Sequence, residues 1–377
     1  MAGMDTRVIV AEGDAFARGR AVGENCAENI RVLLKQQDYM NILDGSGSLR
    51  DWLPRAKAVV PLIEKHAPVA LAEMQGTAAG ADLPFDDILL LTCAYDKNFL
   101  YWAELEKADK ARQAKKEAQQ GGCTSMAAFT PDGLICAENN DERPWEWDQA
   151  KQDIVLHCIA PDGLETLIFT HPGIPACMGM NSAGLVLMWM YIDNGDRADG
   201  LPSCTMTREV LTRRSLAEAV EYLRSVPHTM PNSFLLAHES DGICSVEAAP
   251  AAFGASYSKT FFTHANVIYE PQLFRTDDTG QPKRPPLGQR DRRMAELVKS
   301  RYPNITIDDA KSFITDSEDM DHEKGINNEW TLASMVFHPS KGQLHIAIGM
   351  GLERNFETVS FRNNNQWPQR HRGAESI

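Results

Sequence analysis

Apolar and small residues recur at intervals of three and four in the first hundred positions, whereas beyond position 123 they fall in short runs typical of strands. The first pattern predicts helices over about Gly13–Gln36, Asp51–Ala79 and Asp86–Glu106. Between the two halves, Glu104–Gln120 is polar on every side, which is typical of a solvated helix or a connector. We therefore expect an α-rich segment, a polar connector and a strand-rich segment.

Turn signals divide the strand-rich segment. Pro131-Asp132-Gly133 and Pro161-Asp162-Gly163 each place glycine after Pro-Asp, where a hairpin needs a positive φ. Helices are predicted over about Thr207–Ser225, Arg290–Arg301 and Ile307–Ile314. The predicted strands are Ser125–Thr130, Leu134–Ala137, Ile154–Ile159, Thr166–Thr170, Leu185–Met190, Ser233–Ala237, Ile243–Ala248, Thr260–Thr263, Ala333–Phe337 and Leu344–Ile348.

The charge balance excludes some function classes. The 377 residues include 38 Lys and Arg against 52 Asp and Glu, a formal net charge of −14, whereas a nucleic-acid binder needs a basic face. With 43% hydrophobic and 24% charged residues, the composition is that of a globular protein with a large core. The chain has no apolar run of about 18 residues and carries Asp5 near its start, so we expect a cytoplasmic protein without membrane contact.

Cysteine and histidine usage gives no sign of a metal site. The eight cysteines contain no CxxC pair, and the ten histidines form no HxxxH or HxH pattern. Scattered thiols in a long cytosolic chain are most often buried core residues. We therefore expect neither a metal nor a cofactor.

Cys123 is the one cysteine whose context differs from that of a core thiol. It follows Gly121-Gly122 at the end of the polar connector and directly precedes the first convincing strand. The two glycines allow a tight bend and close approach to the carbonyl of Gly122. Two interpretations stand at this point, a glycine turn into a core strand and a thiol that attacks the preceding peptide bond.

Attack on that carbonyl would shift the acyl group from nitrogen to sulfur, and water would then release a chain beginning with Cys123. Its free α-amine would lie beside its own sulfur. Because an α-amine has a pKa of about 7.7–8.0, it can act as a general base near neutral pH. One residue would then supply both the nucleophile and its base.

Further elements of the chain resemble the acyl-coenzyme A:6-aminopenicillanic acid acyltransferase family of self-processing amino-terminal nucleophile hydrolases. They follow the family's order over most of the chain, and unrelated proteins would have to reproduce that order as well as the motifs. The matching elements are Glu73-Met74-Gln75-Gly76-Thr77-Ala78-Ala79-Gly80-Ala81 as a helix leading to a glycine turn, Gly122-Cys123-Thr124-Ser125 as the nucleophile strand, Pro131-Asp132-Gly133 as its hairpin, Glu138-Asn139-Asn140-Asp141 as the strand end, Gly179-Met180-Asn181-Ser182-Ala183-Gly184-Leu185, Gly200-Leu201-Pro202 with Arg208, Asp241-Gly242 with Val246-Glu247, and Thr263-His264-Ala265-Asn266.

The resemblance implies an α+β fold, a four-layer αββα sandwich of antiparallel sheets. It makes Cys123 the nucleophile twice, first on Gly122 during maturation and then on substrate. The products, 1–122 as an α-rich chain and 123–377 as the catalytic chain, would stay associated as one domain. Asp141, 18 residues after Cys123 at the end of the returning strand, would hold the α-amine by a charge-assisted hydrogen bond.

The resemblance also assigns residues around the developing oxyanion. Asn266 matches the family's late catalytic asparagine, and Asn181 matches one that lines the same pocket; a turn role before Gly184 is the alternative for Asn181. Arg290 resembles an active-site arginine at the start of a late helix in the related bile-salt hydrolase and penicillin V acylase group. The residue before it is Gln289 rather than the more usual Ser, which leaves the match of Arg290 open.

Four further residues are candidates for contact with substrate. Arg143 shares a strand face with Asp141, and Thr124 belongs to the nucleophile motif. His264 lies at a strand end, where a structural role is the alternative. Met180 is either acyl-pocket lining or core, and core is favoured.

The residues indicate an amidohydrolase that cleaves a small N-acyl amide through an acyl-cysteine intermediate. Acyl transfer to an amine, from an amide or from acyl-coenzyme A, uses the same residues, and the acidic charge mildly favours water over coenzyme A. Two further hypotheses are an unprocessed binding protein and a metal-dependent hydrolase. The intact nucleophile motif argues against the first, and the histidine spacing argues against the second. A homo-oligomer is compatible with the sequence.

Overall fold

The structure is a computed structural model that describes residues 6–43, 47–95, 122–142, 152–275, 287–319, 324–349 and 354–362, together with 281, 285 and 321. The strands, with bounds as observed, form two sheets. The strands are β1 Arg7–Glu12, β2 Thr124–Thr130, β3 Gly133–Asp141, β4 Ile154–Ile159, β5 Glu165–Thr170, β6 Met178–Asn181, β7 Leu185–Tyr191, β8 Asn232–His238, β9 Gly242–Ala249, β10 Ala252–Ser258, β11 Phe261–His264, β12 Thr331–His338, β13 Gln343–Ile348 and β14 Glu357–Ser360.

Helices occupy the first part of the chain and recur between strands. Short 3₁₀ turns precede α2, follow β11 and join β12 to β13. The helices are α1 Ala15–Leu43, α2 Leu53–Ala58, α3 Val60–His66, α4 Pro68–Ala81, α5 Phe85–Tyr95, α6 Ser203–Val210, α7 Leu216–Ser225, α8 Gln289–Arg301 and α9 Ile307–Ile314.

The larger sheet has the order β1-β4-β5-β6-β7-β8-β9-β10, and the smaller one has the order β11-β2-β3-β12-β13-β14. Every pairing between these described strands is antiparallel except that of β1, which runs parallel to β4 at the edge of the larger sheet. Helices α1, α6 and α7 pack against the larger sheet, and α8 and α9 pack against the smaller one. The αββα sandwich is therefore confirmed, with one parallel edge strand that the prediction lacks.

The β2–β3 hairpin has two different faces, because side chains alternate along a strand. Met126 and Ala137 face α8 and α9, in a core cluster with Met294 and Phe313. The alternate positions, including Ala127, enter the main core between the sheets. Side chains at the start of β2 and the end of β3 therefore point either between the sheets or toward α8.

Helices α1 and α4 pack closely against each other, and glycines lie at their contact. A Cβ on Gly19 would lie 1.9 Å from the backbone oxygen of Glu73, and one on Gly76 would lie 2.1 Å from that of Phe16. Gly23 and Gly80 are equally close to the facing backbone. The resemblance predicted a glycine turn within this segment, but Gly76 and Gly80 lie inside α4, and the chain turns after Ala81.

Most predicted elements are present, and the differences have physical causes. The helix predicted over 51–79 is divided into α2, α3 and α4, each with proline in its first turn, where the missing N–H is tolerated. The helix predicted over 207–225 is two helices, because Ser215 caps a new start by accepting from the N–H of Glu218. The sequence prediction missed β1, β6, β10 and β14, which are short or lie at sheet edges. The connector 104–120 lies outside the described residues.

Substituting Gly76 by alanine tests the close contact of α1 and α4. In a helix free of such contact, Gly→Ala stabilises by about 1 kcal/mol, but overpacking here should lower the free energy of unfolding by about 1–3 kcal/mol. Chemical denaturation measures the sign directly. Gln75→Ala on the exposed face of the same helix is the control and should change little; stabilisation by Gly76→Ala would contradict the packing.

Candidate active site

Cys123 lies at the entrance to β2, with its thiol on the face between the sheets. Its side chain is nearly buried, with 8% of the residue exposed. The β2–β3 register pairs Thr124 with Asn139, so Asn140 comes opposite Cys123, and its Oδ1 lies 4.0 Å from Sγ. The backbone of β2 thus fixes the direction in which sulfur can meet a substrate.

The surroundings of this thiol favour its neutral form. Burial raises the pKa of Cys123 well above its ordinary value, and the nearby carboxyls of Glu138 and Asp141 raise it further. The backbone N–H of Asp141 opposes them by donating toward sulfur. The thiol therefore needs a base before it can act as a nucleophile.

Arg290, the second residue of α8, connects the parts of the site. Its Nη1 donates to the carbonyl oxygen of Cys123 at 2.9 Å and to Oγ1 of Thr124 at 3.2 Å. Its Nη2 donates to Oδ1 of Asn266 at 3.2 Å. A Cβ on Gly122 would lie 2.1 Å from that Nη2, so a side chain at this position would displace the guanidinium from beside the Gly122–Cys123 bond.

Asp141 is buried on the α8 side of the hairpin. Its carboxylate accepts from Thr331 Oγ1 at 2.7 Å and from Asn328 Nδ2 at 2.9 Å, and it lies 3.6 Å from Nη1 of Arg290. Burial raises the pKa of Asp141 to about 6, although the nearby Arg290 and these two donors lower it. Asp141 therefore balances the charge of Arg290 directly beside Cys123.

Asn266 follows β11 in a left-handed conformation, with φ of 50°. Its Nδ2 donates to the carbonyl oxygen of Tyr191 at 2.6 Å, while Oδ1 accepts from Arg290. One of its two amide hydrogens thus fixes the side chain. Among the predicted residues, the structure brings Gly122, Cys123, Thr124, Asp141, Asn266 and Arg290 together.

Asn181 is not part of this assembly, which corrects the expectation that it lines the pocket. Its Nδ2 donates to the carbonyl oxygens of Leu211 and Arg213. Its Oδ1 accepts from the backbone N–H groups of Ala183 and Leu185. Two of these bonds lie within the β6–β7 turn and two join that turn to the segment after α6, so we assign Asn181 the turn role.

Of the remaining candidates, the three that the structure describes contact other parts of the protein. Thr124 is wholly buried and supports Arg290. His264 is held by Glu247 Oε1 at 2.9 Å and Ser233 Oγ at 3.1 Å, which fits a structural role. Met180 is buried in the main core. Arg143 lies outside the described residues.

Sequence reasoning missed Glu138 and Asn140, which share the inner face of β3 next to the nucleophile. Period-two alternation could have found them, because both lie an even number of residues from the inward-facing Cys136. In the part of the chain that the structure describes, no group of three or more His, Cys, Asp or Glu side chains is arranged to hold a metal ion. No described helix combines the length and the apolar character that crossing a membrane requires.

Comparison with known families identifies the relatives of this chain. A family model described as acyl-coenzyme A:6-aminopenicillanic acid acyl-transferase matches residues 129–352, more than half of the chain. The chain belongs to this family. The family match includes Asp141, Asn266 and Arg290 and begins after Cys123. No curated protein matches the sequence.

Solved structures with similar folds include two kinds of acylase. Penicillin V acylase from Agrobacterium tumefaciens is 14% identical with a TM-score of 0.44, over 63% of this chain and 86% of that one. A mutant of the conjugated bile acid hydrolase from Clostridium perfringens is 14% identical with a TM-score of 0.40, over 64% of this chain and 98% of that one. A second variant of that hydrolase is 13% identical with a TM-score of 0.39, over 66% of this chain and 99% of that one.

The raised pKa of Asp141 predicts a pH-dependent effect of Asp141→Asn on stability. The pKa is about 6 in the folded chain against an ordinary 3.8, so the folded state keeps a proton that the unfolded state has already lost. The carboxyl therefore contributes stability below pH 4 that is lost as the pH rises through 6. An amide cannot titrate, so the stability of Asp141→Asn relative to Asp141 should rise by about 2 kcal/mol from pH 4 to pH 7.

Denaturant titrations across that pH range measure this change, with both proteins carrying Cys123→Ala so that each is compared as a single chain. A constant offset between the two is expected from the altered contacts with Asn328 and Thr331. A stability difference that does not vary with pH would contradict the assigned environment of Asp141.

Proposed function

We propose that the chain is a precursor that cleaves itself between Gly122 and Cys123 and then works as an amidohydrolase with Cys123 as its amino-terminal nucleophile. The observation that carries this proposal is the position of Cys123. Its thiol enters the space between the sheets, while Arg290 holds its carbonyl and lies against Gly122. A cysteine that only fills a core does not require a guanidinium hydrogen-bonded to its carbonyl oxygen.

Self-cleavage follows from this arrangement in two steps. Sγ attacks the carbonyl carbon of Gly122, the C–N bond breaks, and the thiol proton ends on the nitrogen of Cys123. Water then cleaves the thioester, leaving a carboxylate on Gly122 and a free thiol and α-amine on Cys123. The products are 1–122 and 123–377, and we expect them to remain together because α1 and α5 contribute to the same main core as the catalytic strands.

Turnover of an amide uses the new α-amine. The amine takes the proton of Sγ, whose burial otherwise favours the neutral thiol, and sulfur attacks the substrate carbonyl. The ammonium then gives its proton to the leaving amine, and an acyl-cysteine remains. Water, activated by the same amine, releases the acid and restores the thiol.

The surrounding residues have distinct roles in this scheme. The second amide hydrogen of Asn266 is the donor for the oxyanion, and such a donor is typically worth about 3 kcal/mol in the transition state. Arg290 positions the backbone of Cys123, and its fork also holds Asn266 in place. Asp141 offsets the charge of Arg290 and keeps a carboxylate near the α-amine.

Acyl transfer is the second candidate, favoured by the description of the family itself. An amine acceptor would replace water in the last step, and no residue of the site would change its role. The net charge of −14 favours hydrolysis, because an acyl-coenzyme A donor brings several phosphates.

We place the activity in the cytoplasm because all eight cysteines are free thiols.

Intact mass and a denaturing gel of the purified protein test the self-cleavage. The unaltered chain should give two fragments that break between Gly122 and Cys123, and Cys123→Ala should give one. Cys136→Ala, which removes a buried thiol from the adjacent strand, is the control and should cleave as the unaltered chain does. A single uncut chain that hydrolyses amides would contradict the mechanism.

Product analysis with and without an added amine separates the two activities. A hydrolase should release the free acid from a small N-acyl amide at a rate that the amine does not change. A transferase should give the new amide as its main product, and this result would replace hydrolysis by transfer.

A further inference from the structure

The two side chains that donate to Asp141 belong to one short segment, 327–331, which leads into β12. Thr331 Oγ1 donates to one carboxylate oxygen at 2.7 Å, and Asn328 Nδ2 donates to the other at 2.9 Å. Thr331 is also the strand partner of Asp141, at a point where the register between β12 and β3 shifts. The conformation of this segment therefore decides whether both donors reach the carboxylate.

Hydrogen bonds within the segment orient both donors. Thr331 Oγ1 accepts from the backbone N–H of Asn328 at 3.0 Å, so its own hydrogen points at its other partner, Asp141. Asn328 Oδ1 accepts from the backbone N–H of Trp330 at 2.8 Å, which turns Nδ2 toward the carboxylate. The direction of each donor thus depends on the backbone that carries it.

Arg354, which lies shortly before β14, holds this backbone. Its Nη2 donates to the carbonyl oxygen of Thr331 and to Oδ1 of Asn327, both at 2.8 Å, and its Nε donates to the same Oδ1 at 3.2 Å. Its Nη1 donates to the carbonyl oxygen of Gly349, directly after β13. One guanidinium therefore connects the first and last residues of segment 327–331 to the end of a neighbouring strand.

Charged and titratable groups face Asp141 from several elements. Burial raises the pKa of Asp141 to about 6, and the guanidinium groups of Arg290 and Arg354 both lower it. Burial lowers the pKa of Arg354 to about 10, so this guanidinium is still charged at neutral pH. The other groups near this carboxylate are Cys123 of β2, Glu138 of β3 and Glu142, the residue after Asp141.

We propose that Arg354 is a positioning residue for Asp141, because it holds segment 327–331 in the conformation that directs Thr331 and Asn328 at the carboxylate. A carboxylate that loses such donors and a nearby positive charge takes up a proton more readily. Arg354 thereby keeps Asp141 ionised beside Arg290. This role exists in the uncut chain, so it does not depend on the proposed function.

Denaturant titrations of chains that carry Cys123→Ala test this role without turnover. In each background, the free energy of unfolding of Asp141→Asn is compared with that of Asp141 between pH 4 and pH 8, so the titration of Glu138 is common to both. Because the pKa of Asp141 is about 6 against an ordinary 3.8, the difference should rise with pH and level off near pH 6. Arg354→Gln should move this levelling upward by at least about 0.5 pH unit.

Asn327→Ala separates positioning from charge. It removes the amide oxygen that Arg354 binds but leaves every charge and both direct donors of Asp141 in the chain. We expect the levelling to move in the same direction, by at least about half as much as in Arg354→Gln. An unchanged levelling pH in Asn327→Ala overturns the proposal, whether or not Arg354→Gln folds.

A purely structural role for Arg354 would give a different result. Arg354→Gln would then lower the free energy of unfolding of both members of the pair equally at every pH, and this outcome overturns the proposal. Arg301→Gln, at the exposed last residue of α8, is the control and should leave the levelling pH unchanged.

The rate of self-cleavage gives a second readout, which rests on the proposed function. Precursor labelled during cell-free synthesis is followed on denaturing gels at pH 6 and pH 8.5. Arg354→Gln should slow conversion about two- to fivefold at pH 6, where less of its Asp141 is ionised, and by less than about 1.5-fold at pH 8.5. An equal deficit at both pH values overturns the proposal. Failure of the unaltered chain to cleave would contradict the proposed function, while the titrations of the uncut chain would still decide the role of Arg354.

Discussion

The arrangement of the site depends on the guanidinium of Arg290. It contacts the carbonyl of Cys123, the hydroxyl of Thr124 and the amide oxygen of Asn266, and it lies 3.6 Å from the carboxylate of Asp141. These partners come from β2, from the segment after β11 and from the end of β3, so one side chain joins three parts of the chain. A planar fork suits this task because its N–H groups point in fixed directions, whereas the three N–H donors of a lysine ammonium rotate at the end of a flexible stem.

The β2–β3 hairpin separates positioning from chemistry. On the face toward α8, Arg290, Thr124 and Asp141 fix the backbone of the nucleophile. On the face between the sheets, Sγ of Cys123 meets Asn140 and Glu138. The same alternation that divides the two cores thus places Arg290, Thr124 and Asp141 on one side of the hairpin and the side chains of Cys123, Asn140 and Glu138 on the other.

The sequence predicted most strands within two residues, because alternation and the Pro-Asp-Gly turns are local signals. It also predicted the group around Cys123, Asp141, Asn266 and Arg290, which came from resemblance as well as from spacing. The turn role of Asn181 was one of the two alternatives that the sequence left open, but its bonds to Leu211 and Arg213, 30 and 32 residues away, could not be predicted from local pattern. Nor could local pattern show that Gly76 and Gly80 serve a helix contact, since that contact exists only after α1 folds against α4.

The rate at which purified precursor converts to two chains tests the role of Arg290 most directly. Arg290→Lys keeps the positive charge beside Asp141 but loses the fork that holds Cys123 and Asn266. We predict that the folded variant converts at least about 100-fold more slowly than the unaltered chain. Conversion of the folded variant at the unaltered rate would contradict the central position of this guanidinium.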